Sequence, residues 1–295
     1  MGCSVARIAI VGVGAIGGVV AGLLQSAGRH ELVLCVRRPL AELVVETPDG
    51  AVRIEATIVT DPADAPAVDG VMVATKAYDV VGAAKWLERL CVQGAPVAVL
   101  QNGVEHRERF APFVPMEKIV PVIVDCPAER KSPERIVQRG MMSLKVQEGG
   151  LGAAFVELFA GTLADAATVP DWTTVAWRKL CHNSAGVLSA LLLRPNEVMH
   201  DVAIGEAALQ IVRECVAVGR AEGAVLSDSV PEDVLAAYRK AAPDGVNSML
   251  ADTLAGRPME IDARNGVIVR AGKRHEIATP NNAMAVALVE AMTAK

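Results

Sequence analysis

In residues 5–11 apolar β-branched and small side chains predominate, and the run passes directly into Gly12-Val13-Gly14-Ala15-Ile16-Gly17-Gly18. That pattern predicts a buried strand ended by a tight turn. Residues 19–27 carry an apolar helical face, Gly28 stands where a helix would stop, and 32–36 predicts a second strand. Further strands are predicted at 52–60, after the Pro48-Asp49-Gly50 turn, and at 70–74, 97–100, 119–124, 136–139 and 143–146, with a helix over 153–163. The character changes near Pro170-Asp171. Beyond it the pattern is helical: 172–193, 206–223, 232–240, 261–273 and 280–294, with Pro195, Asp201 and Pro231 at helix starts. The predicted fold is α/β: an N-terminal Rossmann-type dinucleotide-binding domain over 1–170, then an all-helical substrate and catalytic domain over 171–295.

Composition supports two cores of ordinary size. Hydrophobic residues are 52% of the 295 but aromatics only 3%, so Ala, Val, Leu and Ile must fill both cores. A net charge of -5 leaves no basic surplus for a nucleic-acid backbone. Residues 8–28 lack charge, yet six glycines punctuate them, which excludes a membrane span. Met1-Gly2-Cys3-Ser4 has the start of an acylation site, but Ala6 occupies the position that needs Ser or Thr. Six scattered cysteines without a CxxC pair read as reduced thiols of a cytoplasmic protein, and no His cluster or HExxH asks for a metal.

Strand, glycine turn, helix and strand together give GxGxxG a physical meaning. The first glycine makes the turn, the second admits a pyrophosphate, and the third lets helix pack on strand. At the end of the second strand, where an NAD site places an acid, stand Arg37 and Arg38, with no carboxylate before Glu42. Two guanidiniums suit the 2′-phosphate of NADP(H), against the alternative of two surface arginines. Lys76 and Asn102 lie just past strand ends, where open α/β sheets bind ligands; a loop lysine and an Asn-Gly turn are the alternatives. In the second half, Lys179 and Asn183 share a helix face, Ser248 begins a short helix, and Glu260 precedes another. Each has a bland reading as well: a lysine reaching to water, a helix cap, and an acid near a helix N-terminus.

The order of Gly12 to Gly17, Val36-Arg37-Arg38-Pro39, Thr75-Lys76-Ala77 and Gln101-Asn102-Gly103 resembles the ketopantoate reductase (2-dehydropantoate 2-reductase) family. So do Trp177-Arg178-Lys179-Leu180 with Asn183, Ser248-Met249-Leu250-Ala251-Asp252, Glu260-Ile261-Asp262 with Asn265-Gly266, and Ala278-Thr279-Pro280-Asn281-Asn282. The resemblance implies NADPH-dependent reduction of 2-dehydropantoate to pantoate in pantothenate and coenzyme A synthesis. It implies that Gly12, Val13, Gly14, Ala15, Ile16 and Gly17 hold the pyrophosphate, and that Arg37 and Lys76 hold the 2′-phosphate. Asn102 would orient cofactor and substrate, and Lys179 would be the general acid. Asn183 and Ser248 would bind substrate, and Glu260 would help fix the ribose and the substrate; where it meets Lys179 it would also keep that lysine charged and aimed. Val187 departs from the family, which often has a second Asn there. A valine cannot bond a substrate hydroxyl, so either another residue such as Ser184 does so, or the substrate is not ketopantoate but an aromatic or branched 2-oxo acid that suits an apolar wall. A reductase of another 2-oxo or 3-oxo acid, and a non-catalytic NADPH-binding sensor, are the competing readings; a homodimer is compatible with the Ala-rich C-terminal helices.

Overall fold

The structure is a computed structural model that describes residues 5–293. The Met1-Gly2-Cys3-Ser4 sequence, and with it the Cys3 thiol and the proposed end of the last helix at Ala294, lie outside the described residues. The chain divides into two compact units, Met1–Gln101 with Glu105–Trp172, and Asn102–Val104 with Thr173–Lys295.

The first unit contains β1 (Ala6–Val11), α1 (Ala15–Ala27), β2 (His30–Cys35), β3 (Val44–Thr47), β4 (Gly50–Arg53), β5 (Thr57–Val59), β6 (Gly70–Val73), α2 (Val80–Leu90) and β7 (Val97–Val99). It continues through α3 (His106–Phe110), β8 (Ile119–Asp125), β9 (Ala128–Ser132), β10 (Arg135–Gln138), β11 (Ser143–Gln147), α4 (Gly150–Leu158) and β12 (Asp165–Val169). Eight strands form one sheet in the order β12-β11-β8-β7-β6-β1-β2-β5. All pairs are parallel except β11 with β8. The central strands are buried on both faces. Ile8 and Ile10 join Leu24 and Met72 on one side, while Ala9 and Val11 join Leu87 and Phe110 on the other. From β1 the chain runs outward to β2 and β5, then returns to β6 on the other side of β1. That reversal leaves a crevice beyond the C-terminal ends of β1 and β6, the usual ligand position in such sheets. The uncharged stretch 8–28 is thus the central strand, its turn and α1.

A second sheet, β4-β3-β10-β9, packs on α1. The strand predicted over 52–60 is really β4 and β5, which belong to different sheets. Three strands were not predicted: β3, β9 and β12. Asp165-Ala-Ala-Thr-Val and Ala128-Glu-Arg-Lys-Ser sit at sheet edges and carry no apolar run, so partner strands impose their conformation. The helix expected over 153–163 is α4, displaced toward Gly150.

The second unit is helical: α5 (Trp172–Ala185), α6 (Val187–Leu192), α7 (Val202–Ala221), α8 (Val230–Lys240), α9 (Ser248–Leu254), α10 (Val267–Arg274) and α11 (Pro280–Thr293). The single helix expected over 172–193 breaks at Gly186. Two neighbours take the carbonyls near the break: the Tyr238 hydroxyl donates to the His182 oxygen (3.0 Å) and Asn247 Nδ2 to the Gly186 oxygen (3.0 Å). A Cβ at Gly186 would stand 2.8 Å from the Tyr238 hydroxyl, so a larger residue could not hold this corner. The helix expected over 261–273 opens instead with a π-helical turn, Asp262–Gly266, ahead of α10. Single π turns of this kind gather at functional sites.

Asn265, Asn281 and Asn282 are structural. Glu214 on α7 accepts the backbone N–H groups of Asn281 and Asn282 (2.9 Å each) and so caps α11, where the helix dipole favours an acid. Buried Asn282 also donates to the Ile211 oxygen and accepts from Asn265, whose Nδ2 in turn reaches the Ser184 oxygen. No helix among the described residues is long and apolar enough to cross a membrane.

Candidate functional site

In the first unit, the turn after β1 is shaped by contacts rather than by flexibility. Gly12 has φ 92°, and a Cβ there would lie 2.7 Å from Thr75 Cγ2. A Cβ on Gly17 would lie 2.1 Å from the Gly12 carbonyl oxygen and 3.2 Å from Ala74 Cβ, so the third glycine is where helix meets strand. Gly14 differs: its missing Cβ faces nothing within 4 Å. The first turn of α1 carries no acidic side chain, so open space, free N–H groups and a favourable dipole coincide. These residues fit a pyrophosphate.

Gln101, buried at the end of β7, ties the neighbouring loops together. Its Nε2 donates to Thr75 Oγ1 (2.9 Å) and to the Lys76 carbonyl (3.3 Å), while its own carbonyl meets the His106 ring (2.9 Å). The loop that carries Lys76 also carries Asp79, whose carboxylate stands 3.6 Å from the Arg37 guanidinium. Sequence reasoning named Arg37 and Lys76 but missed this acid, because it comes from another strand end. Arg37 is exposed, and such a pair is worth about 0–1 kcal/mol.

In the second unit, α5 buries Ala176, Trp177, Leu180, Cys181 and Ser184 along one stripe. Lys179 and Asn183 flank that stripe, one turn apart and half-buried. Asn183 Nδ2 donates to Asn102 Oδ1 (3.4 Å), and Asn102 Nδ2 donates to Glu260 Oε2 (2.9 Å). Glu260 is 4% exposed. Asn102 reaches it because Gly103, at φ 105°, runs against the π turn; a Cβ there would lie 2.8 Å from the Ala263 oxygen. Three sequence candidates, Asn183, Asn102 and Glu260, are thereby joined, and Lys179 lies one helical turn from Asn183 on α5.

Ser248 lies beside a different group. Its helix is capped by Asn247, whose Oδ1 accepts from the N–H groups of Met249 and Leu250 (3.0 Å each), so Ser248 is not the cap. The Ser248 hydroxyl instead accepts from Arg264 Nη2 at 2.7 Å. Arg264 was missed by sequence reasoning. The signal was present: Arg264 sits three, four and seven residues before Val267, Ile268 and Ala271, on the buried stripe of α10 continued backward.

Two expectations are corrected. Val187 is fully buried, packed with Ile211, Met249, Met259 and Val289. It belongs to a core and lines no exposed wall, so it gives no reason to prefer an aromatic or branched substrate. Ser184 is equally buried and donates to the Cys181 carbonyl (2.9 Å), so its hydroxyl serves its own helix.

The comparisons agree along the chain. Residues 8–150 match the family described as Ketopantoate reductase PanE/ApbA, and residues 171–293 match Ketopantoate reductase PanE/ApbA C terminal. A 2-dehydropantoate 2-reductase of Caulobacter vibrioides is 48% identical over 284 residues, covering 96% of this chain and 98% of that one. One from Mycobacterium tuberculosis is 40% identical over 287 residues, covering 96% and 97%. The crystal structure of a 2-dehydropantoate 2-reductase from Geobacter metallireducens superposes with a TM-score of 0.90 at 26% identity, over 97% of this chain and all of that one. With a nucleotide-type turn in one unit and a lysine, asparagine and glutamate cluster in the other, the chain belongs to the ketopantoate reductase family.

Proposed function

We propose that this chain reduces 2-dehydropantoate to pantoate with NADPH, a step of pantothenate and coenzyme A synthesis. The observation that carries the reading is the hydrogen-bonded run Asn183–Asn102–Glu260 one helical turn from Lys179, in a chain of this family. NADPH, when bound, supplies the hydride. Residues Gly12 to Gly17 hold its pyrophosphate, and Arg37 with Lys76 its 2′-phosphate. Lys179 holds the proton that the reduced carbonyl oxygen takes up, and its charge stabilises that oxygen as electrons gather there. Asn183 and Asn102 orient the substrate's polar groups. Glu260, fixed by Asn102, keeps Lys179 aimed and accepts from the ribose. Ser248 donates to the substrate carboxylate. The reading includes a cytoplasmic location, which suits the free thiols of Cys35, Cys91, Cys126, Cys181 and Cys215. It also includes a homodimer, for which exposed Leu193 and Val202 offer apolar surface.

The test is NADPH oxidation with a substrate panel. 2-Dehydropantoate should give a kcat/KM at least ~10-fold above pyruvate and 2-oxoisovalerate, the discrimination that a few added contacts provide. A rate no better than pyruvate overturns the assignment. Coenzyme choice is tested separately. Arg37→Gln should raise KM for NADPH by about 10- to 100-fold, the worth of a charge-assisted contact, and leave KM for NADH nearly unchanged. Equal losses with both coenzymes would show that Arg37 does not read the 2′-phosphate.

A further inference from the structure

We propose that Arg264 is a positioning residue for the substrate carboxylate, acting through Ser248. The inference rests on the preceding assignment of Ser248 to that carboxylate, and adds the group that makes the serine effective.

Arg264 is 3% exposed, and its side chain is a guanidinium cation. A buried cation is costly unless something negative compensates it. Among the described residues Arg264 is paired with no carboxylate. Its side chain has one hydrogen bond, Nη2 to Ser248 Oγ at 2.7 Å, and its Nε is buried without a partner. The nearby Tyr238 hydroxyl does not fill the gap. Burial pushes its pKa up to about 12, Arg264 pulling the other way, and it donates to the His182 carbonyl. The guanidinium therefore stands in the second unit as a positive charge whose counter-charge is not supplied by the described residues.

The contact to Ser248 shows where that counter-charge belongs. Ser248 is exposed and Arg264 is not, so the serine is the accessible end of the pair. Because Asn247 caps α9, the Ser248 hydroxyl is not spent on the backbone. One oxygen lone pair accepts from Arg264, so the O–H proton must point elsewhere, polarised by the charge behind it. A hydroxyl so oriented is a strengthened donor for an anion, and the anion meets the field of the buried guanidinium. A 2-oxo acid supplies such an anion in its carboxylate. A merely structural arginine would instead be expected to pair with a neighbouring acid or with helix-end carbonyls, as Arg220 does with the Leu226 oxygen.

The experiment compares oxamate, which carries a carboxylate, with neutral oxamide, for binding to the NADPH-loaded protein, read by nicotinamide fluorescence. The expected result is that Arg264→Met weakens oxamate about 10- to 100-fold while oxamide changes little, and that Arg264→Lys recovers part of the loss. Ser248→Ala should weaken oxamate too, and adding it to Arg264→Met should cost little more, since the two act as one unit. Thermal unfolding of Arg264→Met should be unchanged or raised, because a buried unpaired charge has been removed. Equal weakening of oxamate and oxamide, or unchanged oxamate affinity in a folded Arg264→Met or Arg264→Lys protein, overturns the inference. Should the wild-type protein bind oxamate in an Arg264-dependent way yet reduce no 2-oxo acid, the proposed function fails and the role of Arg264 stands.

Discussion

Lys179→Met is expected to lower kcat with 2-dehydropantoate by about 10³-fold, with NADPH affinity changed by no more than ~3-fold. The size follows from two losses at one atom. General acid catalysis by a positioned side chain is worth about 10²–10⁴-fold, and removing a single preorganised donor from a developing oxyanion costs about 10²–10³. The two overlap because the same ammonium performs both, so their product is an upper bound. Methionine keeps the length and packing of the lysine stem on α5, whose buried stripe is carried by Trp177, Leu180 and Cys181 rather than by residue 179. Melting should therefore be nearly unchanged. Steady-state kinetics and a coenzyme titration on the same preparation separate the outcomes. A kcat loss below ~10-fold would remove Lys179 from proton transfer, and parallel loss of NADPH binding would place it on the coenzyme instead.

The second large effect is expected at the third glycine of the turn. Gly17→Ala adds a Cβ that would stand 2.1 Å from the Gly12 carbonyl oxygen, a backbone atom rather than the end of a flexible side chain. Overpacking of this kind costs about 1–3 kcal/mol. The displaced turn should also weaken NADPH by ~100-fold or more, since phosphate recognition by N–H groups depends on their direction. Gly14→Ala is the informative companion. Its Cβ would meet nothing within 4 Å, so the apo protein should melt within ~0.5 kcal/mol of wild type, as a harmless surface change does. NADPH should still bind poorly, because the methyl occupies the space reserved for pyrophosphate. If Gly14→Ala binds NADPH normally, that space serves another purpose.

Legibility of the site varied with the range of the interactions involved. The glycine turn was readable because strand run, φ demand and helix start all fall within a few residues. The polar pair Lys179 and Asn183 was readable as a shared helix face for the same reason. Arg264 was overlooked although its place on the apolar stripe of α10, continued backward, was visible, because the pattern of 261–273 predicts an amphipathic helix without telling which polar residue its buried face carries. The substrate argument drawn from Val187 failed for a different cause. It assumed that a helix stayed continuous from Lys179 onward, and the break at Gly186 turns the next residues into the core.

By itself, the order of residues determined the parallel sheet with its glycine turn, the arginine at the end of β2 and the helical second half. Periodicity and backbone sterics act locally, and no distant partner is needed to read them. Tertiary structure alone decided that Asn102 meets Glu260 across 158 residues of chain, that Asp79 stands by Arg37, and that Arg264 backs Ser248. Each of those meetings depends on loop closures whose partners lie in separate elements. A polar side chain acquires its chemistry from whichever neighbour the fold presses against it.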